Sequence, residues 1–244
     1  VPAEAESAAR SAGGVAVITD LAAGDRFVVS EAGDAPGALS VDVVSAARQA
    51  LLRGMSSIFE SGTRQFFIEA YPVRPRLIVV GAVEIGRALV RLARELGFAT
   101  VVVDGRAAFA TAERFPDADR LVVGWLDEVA DDIALDANDA VAVLAHDPKL
   151  DDPALMEAFR RGCRYVGALG SRKTQADRRE RLRAAGVSDA NVTRLRGPIG
   201  LDLGGRSPAE TALAILAEIV AERYGATGGA KSSTALSAMP TAAG

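Results

Sequence analysis

The chain has 244 residues, 49% of them hydrophobic, 25% charged and 5% aromatic, with a mean hydropathy of +0.17. That is enough to bury a sizeable core, and it excludes a disordered or collagen-like chain. Lys and Arg number 28 against 32 Asp and Glu, a formal net charge of −4, so a general polyanion binder is excluded and no nucleic-acid partner is expected.

From the amino terminus, Val15 to Thr19 and Arg26 to Val29 read as short strands around the turn Ala23-Gly24-Asp25. Ser40 can cap a helix carrying Val43, Val44, Ala47 and Leu51 that ends at Gly54, and a further strand covers Gln65 to Glu69. The prolines of Tyr71-Pro72-Val73-Arg74-Pro75 mark an extended joint. Residues 1–70 are therefore expected to form a small α+β region. Beyond the joint, apolar β-branched runs alternate with amphipathic helices: Leu77 to Val80, Thr100 to Val103, Leu121 to Val123, Ala140 to Leu144 and Tyr165 to Val166 read as buried parallel strands. Arg87 to Leu96 is a helix stopped by Gly97, and Asp152-Pro153 opens a second that ends at Gly162. Ser207-Pro208-Ala209-Glu210 combines a serine cap, a first-turn proline and a third-position glutamate, and predicts a helix over Ala209 to Tyr224. The fold class is α/β, a Rossmann-like doubly wound, mostly parallel sheet over 71–224, with 225–244 expected as a flexible tail. Apolar stretches such as Leu77 to Val83 stop far short of the roughly 20 residues a bilayer span needs, so no membrane association is expected. The first residue is Val1, not Met, so the chain is expected to begin inside a longer product. A single cysteine, Cys163, rules out an intrachain disulfide and a thiolate zinc cluster, and fits a reducing, cytoplasmic setting.

Four segments can carry chemistry. Gly81-Ala82-Val83-Glu84-Ile85-Gly86 lies between a strand and a helix, with Asp104 at the end of the next strand and Arg106 two positions on. Gly81 and Gly86 suit a tight turn at a helix amino terminus, and Asp104 is placed to meet a ribose hydroxyl, as in an NAD(P) site. Val83 stands where a glycine would let a pyrophosphate approach, so strand-to-helix packing is the other reading of this loop. His146-Asp147-Pro148 holds the sole histidine at a strand's carboxyl end, where ligands of open α/β sheets bind; His146 and Asp147 are candidate acid–base residues. Gly170-Ser171-Arg172-Lys173 runs into a helix with two cations in its first turn, opposing the helix dipole, so an anion such as a phosphate is expected there unless nearby carboxylates serve instead. Finally, Gly197-Pro198-Ile199-Gly200-Leu201-Asp202 is a glycine-rich apolar loop suited to close approach of a ligand or another domain, with Gly200 and Asp202 as candidate contacts. One histidine and one cysteine make no metal-ligand set, so no metal site is expected. The six acidic residues of Asp127 to Asp139 read as a solvated face.

These segments, together with Phe109, Arg114-Phe115-Pro116, Lys149-Leu150-Asp151 and Tyr165-Val166-Gly167-Ala168-Leu169, resemble in order and spacing, over residues 66–224, the xanthine dehydrogenase accessory factors of the XdhC/CoxI family. The resemblance implies a molybdenum-cofactor chaperone more than an enzyme. Such a protein binds the molybdopterin, protects it while a cysteine-desulfurase-type sulfurtransferase partner supplies a sulfido ligand, and helps insert it into xanthine dehydrogenase or another molybdenum hydroxylase. The residues by themselves also admit an NAD(P)-dependent oxidoreductase with His146 as its acid–base group, or a regulatory Rossmann module. A homodimer is expected.

Overall fold

The computed structural model describes residues 14–31 and 35–232; the first residues of the amino-terminal region and positions 233–244 of the expected tail lie outside them. The chain forms two compact units, Val1–Arg74 and Pro75–Gly244.

In the first unit, β1 (Gly14–Asp20), β2 (Arg26–Ser30), β3 (Ser57–Ser61) and β4 (Arg64–Pro72) make an antiparallel sheet ordered β2-β1-β4-β3. Alternation decides which face is buried: Ala16, Ile18, Val29, Phe66 and Ile68 point to one side and pack with Val43, Ala47 and Leu51 of helix α1 (Val41–Arg53). Gly54, in the left-handed conformation, stops that helix. The edge strand β3 escapes the sequence reading because Ser-Ile-Phe-Glu-Ser has only two apolar residues, and its placement comes from pairing with β4. Asp20 anchors the β1 turn: its carboxylate accepts from the N–H groups of Ala22 and Ala23 and from Arg64, and those bonds hold it below the ordinary aspartate range.

The second unit is built on a five-stranded parallel sheet, β7-β6-β5-β8-β9, from β5 (Arg76–Val80), β6 (Ala99–Asp104), β7 (Arg120–Val123), β8 (Ala140–Val143) and β9 (Tyr165–Ala168). Around it lie α2 (Glu84–Glu95), the one-turn α3 (Leu126–Val129), α4 (Pro148–Arg160), α5 (Arg172–Ala184), the short α6 (Asp189–Arg194) and α7 (Pro208–Arg223). The strands other than the edge strand β7 are buried on both faces. One core layer joins Ile78, Val101, Val141 and Val166 to Leu155, Phe159 and Leu182; the other joins Leu77, Val79, Val102 and Leu144 to Leu89, Ile215 and Ile219. Arg196 extends the β9 edge by a parallel bridge to Gly167, which leads the chain into the Gly197–Gly205 loop.

Three local expectations are corrected. Helix α4 begins at Pro148, not at Asp152-Pro153: Asp147 caps it by accepting from the Lys149 N–H at 3.0 Å, Pro148 takes the first position, and Pro153 is carried inside the helix. No regular helix links β6 to β7; a chain of hydrogen-bonded turns over 105–119 does so, pinned by buried Ala110 and Phe115. The acidic stretch from Asp127 is not wholly a solvated face. It contains α3, with Leu126, Ala130, Ile133 and Leu135 in the core, and Asp139 is buried against Arg76. The capped helix α7 starts as expected, with both halves of the Ser207–Glu210 capping box formed. After α7, the Ala226 N–H bonds to the carbonyl of Ala221 and Gly228 lies against the Leu201 side chain.

Candidate functional site

The strand order reverses at β5, whose neighbours are β6 on one side and β8 on the other. The loops leaving the carboxyl ends of β5 and β8 therefore flank the crevice of an open α/β sheet. They touch: a Cβ on Gly81, which sits at φ +103°, would fall 3.0 Å from the Ala145 nitrogen. Only glycine permits that backbone approach. Gly86 serves packing, since a Cβ there would lie 3.2 Å from both the Gly81 carbonyl oxygen and a Val79 methyl.

The glycine loop is satisfied from within. The Ala82 N–H donates to Asp104 Oδ2 at 2.8 Å, and the Val83 N–H donates to the Gly81 carbonyl at 2.9 Å. Asp104 also accepts from the Arg106 backbone N–H at 2.9 Å and from the guanidinium at 2.9 and 2.7 Å. Burial raises the Asp104 carboxyl, but the Arg106 guanidinium and the two N–H groups outweigh it and hold the group below its ordinary value. A ribose diol could reach this carboxylate only by displacing Arg106. The expected ribose anchor is thus a clamp between the β5 and β6 ends.

His146 follows Ala145 at φ +65°, a left-handed conformation uncommon for a residue with a side chain and found disproportionately at functional sites. Its imidazole is exposed. Asp147 is exposed too, and its carboxylate is engaged as the α4 cap.

At the adjacent β9 end, Ser171 caps α5 by accepting from the Thr174 N–H at 3.1 Å. Arg172 and Lys173 take the first two helical positions, exposed, with no carboxylate within 4 Å among the described residues. Lys149, in the first turn of α4, is likewise exposed and unpaired. Helix α5 thus begins with two cations and no acidic residue in its first turn, each cation disfavoured there by about 0.3–1 kcal/mol of dipole energy, whereas in α4 the Asp147 cap and Asp151 lie in the same turn as Lys149. An anion at this edge reverses that cost and meets charged donors suited to phosphate.

Beneath this edge lies a buried polar network that sequence reasoning missed. Arg178, 1% exposed, donates to Asp151 Oδ2 at 2.6 Å, to Gln175 Oε1 at 2.9 Å and to the Leu169 carbonyl at 3.1 Å. Gln175 donates to the Ala168 carbonyl at 2.9 Å, and Gly197 closes over it, where any Cβ would strike its side chain. The network fixes the Leu169-Gly170-Ser171 turn. Burial pushes the Asp151 carboxyl up to about 6, despite the attraction of Arg178. The available signal was the pattern of α5, which places Gln175, Arg178 and Leu182 on one helical stripe; polar residues on a core stripe read as surface.

The fourth loop is held by Glu218 of α7, which accepts from the Gly200 N–H at 2.9 Å and from the Tyr165 hydroxyl at 2.5 Å. Gly200 lies against the α7 backbone at Ile215, so its glycine is needed for packing. Asp202 is exposed. The structure therefore gathers His146, Lys149, Arg172 and Lys173 around the ends of β8 and β9, while Gly81, Gly86, Asp104 and Gly200 shape the loops. Among the described residues no group of three or more His, Cys, Asp or Glu is arranged to hold a metal ion, and none of their helices is long and apolar enough to cross a membrane.

Residues 77–219 match the family model of the XdhC Rossmann domain. Among curated proteins, the chain is 31% identical over 161 residues to a probable xanthine dehydrogenase component of Bacillus subtilis, covering 66% of this chain and 47% of that protein. It is 32% identical over 168 residues to the uncharacterized protein YqeB of Escherichia coli, covering 69% of this chain and 31% of that one. A shorter match, 35% over 89 residues, covers 36% of this chain and 28% of the molybdenum cofactor insertion chaperone PaoD of Escherichia coli. The chain thus spans about half or less of the length of these relatives. A crystal structure described as a xanthine dehydrogenase of Bacillus halodurans shares the fold, with a TM-score of 0.64 at 23% identity, over 95% of this chain and 66% of that one.

Proposed function

Because the chain belongs to the XdhC family, we propose that it is a chaperone whose cargo is the molybdenum cofactor, supporting sulfuration of that cofactor and its insertion into a molybdenum hydroxylase such as xanthine dehydrogenase. The observation that carries this reading is the set of unpaired cations, Lys149, Arg172 and Lys173, at two helix amino termini beside His146. The phosphate of a molybdopterin fits that chemistry, with the Ser171-capped turn as its seat. Relatives named for xanthine dehydrogenase and for cofactor insertion support the cargo and the partner.

In this reading each element has a mechanical role. Arg172, Lys173 and Lys149 bind the phosphate; the Asp151–Arg178–Gln175 network holds the turn that presents them; His146, exposed at the crevice, can exchange a proton with the bound pterin. The sulfido sulfur comes from outside this chain. Its single cysteine, Cys163, is fully buried and its thiol is pushed up to about 12 by burial, so it is not a sulfur carrier. A cysteine-desulfurase-type sulfurtransferase partner supplies it.

The test is molybdenum and pterin content of the chain purified anaerobically from cells that make the cofactor, beside Arg172→Ala/Lys173→Ala. Near-stoichiometric pterin in the parent and, in the variant, a drop in affinity of about 10- to 100-fold for each of the two charged phosphate contacts removed is the predicted result. A parent without pterin, or a variant that loads equally, sinks the proposal.

A further inference from the structure

A groove of about 630 Å³ runs along α4. Pro153, Met156, Glu157 and Arg160 line it, and their spacing of three, four and seven residues follows one helical face for two turns, roughly 10 Å. Asp127, at the start of α3, stands on one side, and the turn between α5 and α6 on the other. Gly186, left-handed at φ +90°, ends α5 there, and a Cβ on it would meet nothing within 4 Å, so that wall is low. The floor is apolar: Met156 and Val187 are half-buried against the sheet's core, and Phe159 closes it from beneath. Apolar side chains left partly wet along two turns of helix offer a seat for a partner helix.

The charges around the groove do not balance. Its cations already have carboxylates: Arg160 pairs with Glu157, Arg161 with Glu157 and Asp131, Arg181 with Asp152 and Arg183 with Asp189. Asp127 and Glu128 are exposed, and neither has a cation within 4 Å among the described residues. The α3 side is thus a negative edge beside an apolar floor, with a neutral turn opposite. A small apolar ligand would leave that edge unused, and an acidic helix would be repelled by it.

We infer that the α4 groove docks an amphipathic helical segment of a partner protein, its apolar stripe seated on Met156 and Val187 and its lysine or arginine flank set against Asp127 and Glu128. The inference goes beyond the chaperone reading and does not need it. The groove begins at Pro153, one turn past Lys149, and follows α4 toward the amino edge of the sheet, away from the turn that carries Arg172 and Lys173. A docked helix and an anion at the Ser171 turn can therefore be held together.

Met156 makes the test direct. Isotope-labelled methionine methyl groups are followed by NMR while the chain is titrated with an amphipathic helical peptide of about 18 residues, leucine on one face and lysine on the other. Met156→Leu assigns the signal, and Met55, which lies in the other unit, serves as internal control. Fluorescence anisotropy of the labelled peptide gives affinities for the variants. A saturable shift of the Met156 methyl with Met55 unmoved is expected, together with binding about 10-fold or more weaker when glutamate replaces lysine in the peptide. Asp127→Lys/Glu128→Lys, at exposed positions, should lose about 10-fold while its thermal melt matches the parent, and Met156→Ala should lose about 5- to 10-fold. An unmoved Met156, equal binding of the glutamate peptide, or a charge-reversed variant that binds like the parent overturns the inference. So does a Met156 shift that tracks protein concentration without peptide, which makes a second copy the occupant, or one produced by a small apolar dye and not by the peptide. No pterin enters these titrations, so their failure leaves the chaperone reading standing, and failure to load pterin leaves this inference standing.

Discussion

Replacing Arg178 with methionine removes the centre of the buried network while keeping a side chain of similar length. Three acceptors lose their donor at once: Asp151 Oδ2, Gln175 Oε1 and the Leu169 carbonyl. Asp151 is 0% exposed and its Oδ1 has no hydrogen-bond partner even in the parent, so Arg178 is its main compensation. Breaking such a pair from one side costs about 3–5 kcal/mol, because a charge is left buried and uncompensated. In a unit of this size that lowers Tm by roughly 10 °C. The double variant Asp151→Leu/Arg178→Met should recover at least half of the loss, since it removes the orphaned carboxyl and fills its space with apolar atoms. Urea unfolding followed through Trp125, which lies in the same unit, measures both. The pH dependence adds a signed test. Asp151 has its carboxyl raised to about 6 from 3.8, so the native state holds the proton more tightly than the unfolded chain. Its contribution to stability is therefore fully present below about 4 and is lost as pH rises through about 6. Relative to the double variant, the parent should gain up to about 3 kcal/mol between pH 7 and pH 4. An Arg178→Met cost under about 1 kcal/mol, a double variant no more stable than the single, or a pH trend of opposite sign refutes the reasoning.

Two further outcomes follow from packing. In Gly167→Ala the new Cβ would lie 2.7 Å from Ile199 and 2.8 Å from the Tyr165 hydroxyl, so overpacking should cost about 1–3 kcal/mol and disturb the Glu218 bonds that hold the Gly200 loop; a Tm unchanged within error in a thermal melt contradicts this. Cys163, buried with its thiol pushed up to about 12, should resist a thiol reagent such as DTNB in the native protein and react fully in urea. Stoichiometric labelling within minutes under native conditions would show that the burial is wrong.

The parallel sheet was legible because its strands are continuous β-branched runs ended by Gly, Asp or polar residues, and such runs have few alternatives to burial on both faces. Capping chemistry was equally readable: Ser171 and Ser207 bond to the N–H groups their spacing indicated. Strand β3 was not legible, as an edge strand with one exposed face needs few apolar residues and takes its register from β4. Helix α4 was mistaken at its start because two Asp-Pro pairs, Asp147-Pro148 and Asp152-Pro153, offer the same local signal. Only the end of β8 decides which aspartate meets a free N–H.

The candidate site divides along the same line. Sequence alone determined that glycines, one histidine and two helix-opening cations sit at strand ends, because period, capping and turn chemistry act over a few residues. It could not tell a ligand contact from a structural one. Asp104 has the spacing of a ribose anchor, yet the folded chain gives all its acceptor capacity to Ala82 and Arg106. Arg178 has the look of a solvated cation, yet 27 residues of chain bring Asp151 to it in the interior. Trp125 carries no local signal in the sequence and stands against Gly105 only once β6 and β7 are paired. Local signals are written in neighbours along the chain, whereas the partner that satisfies a charge, or leaves it free for a ligand, is chosen by contacts distant in sequence, and those exist only in the tertiary structure.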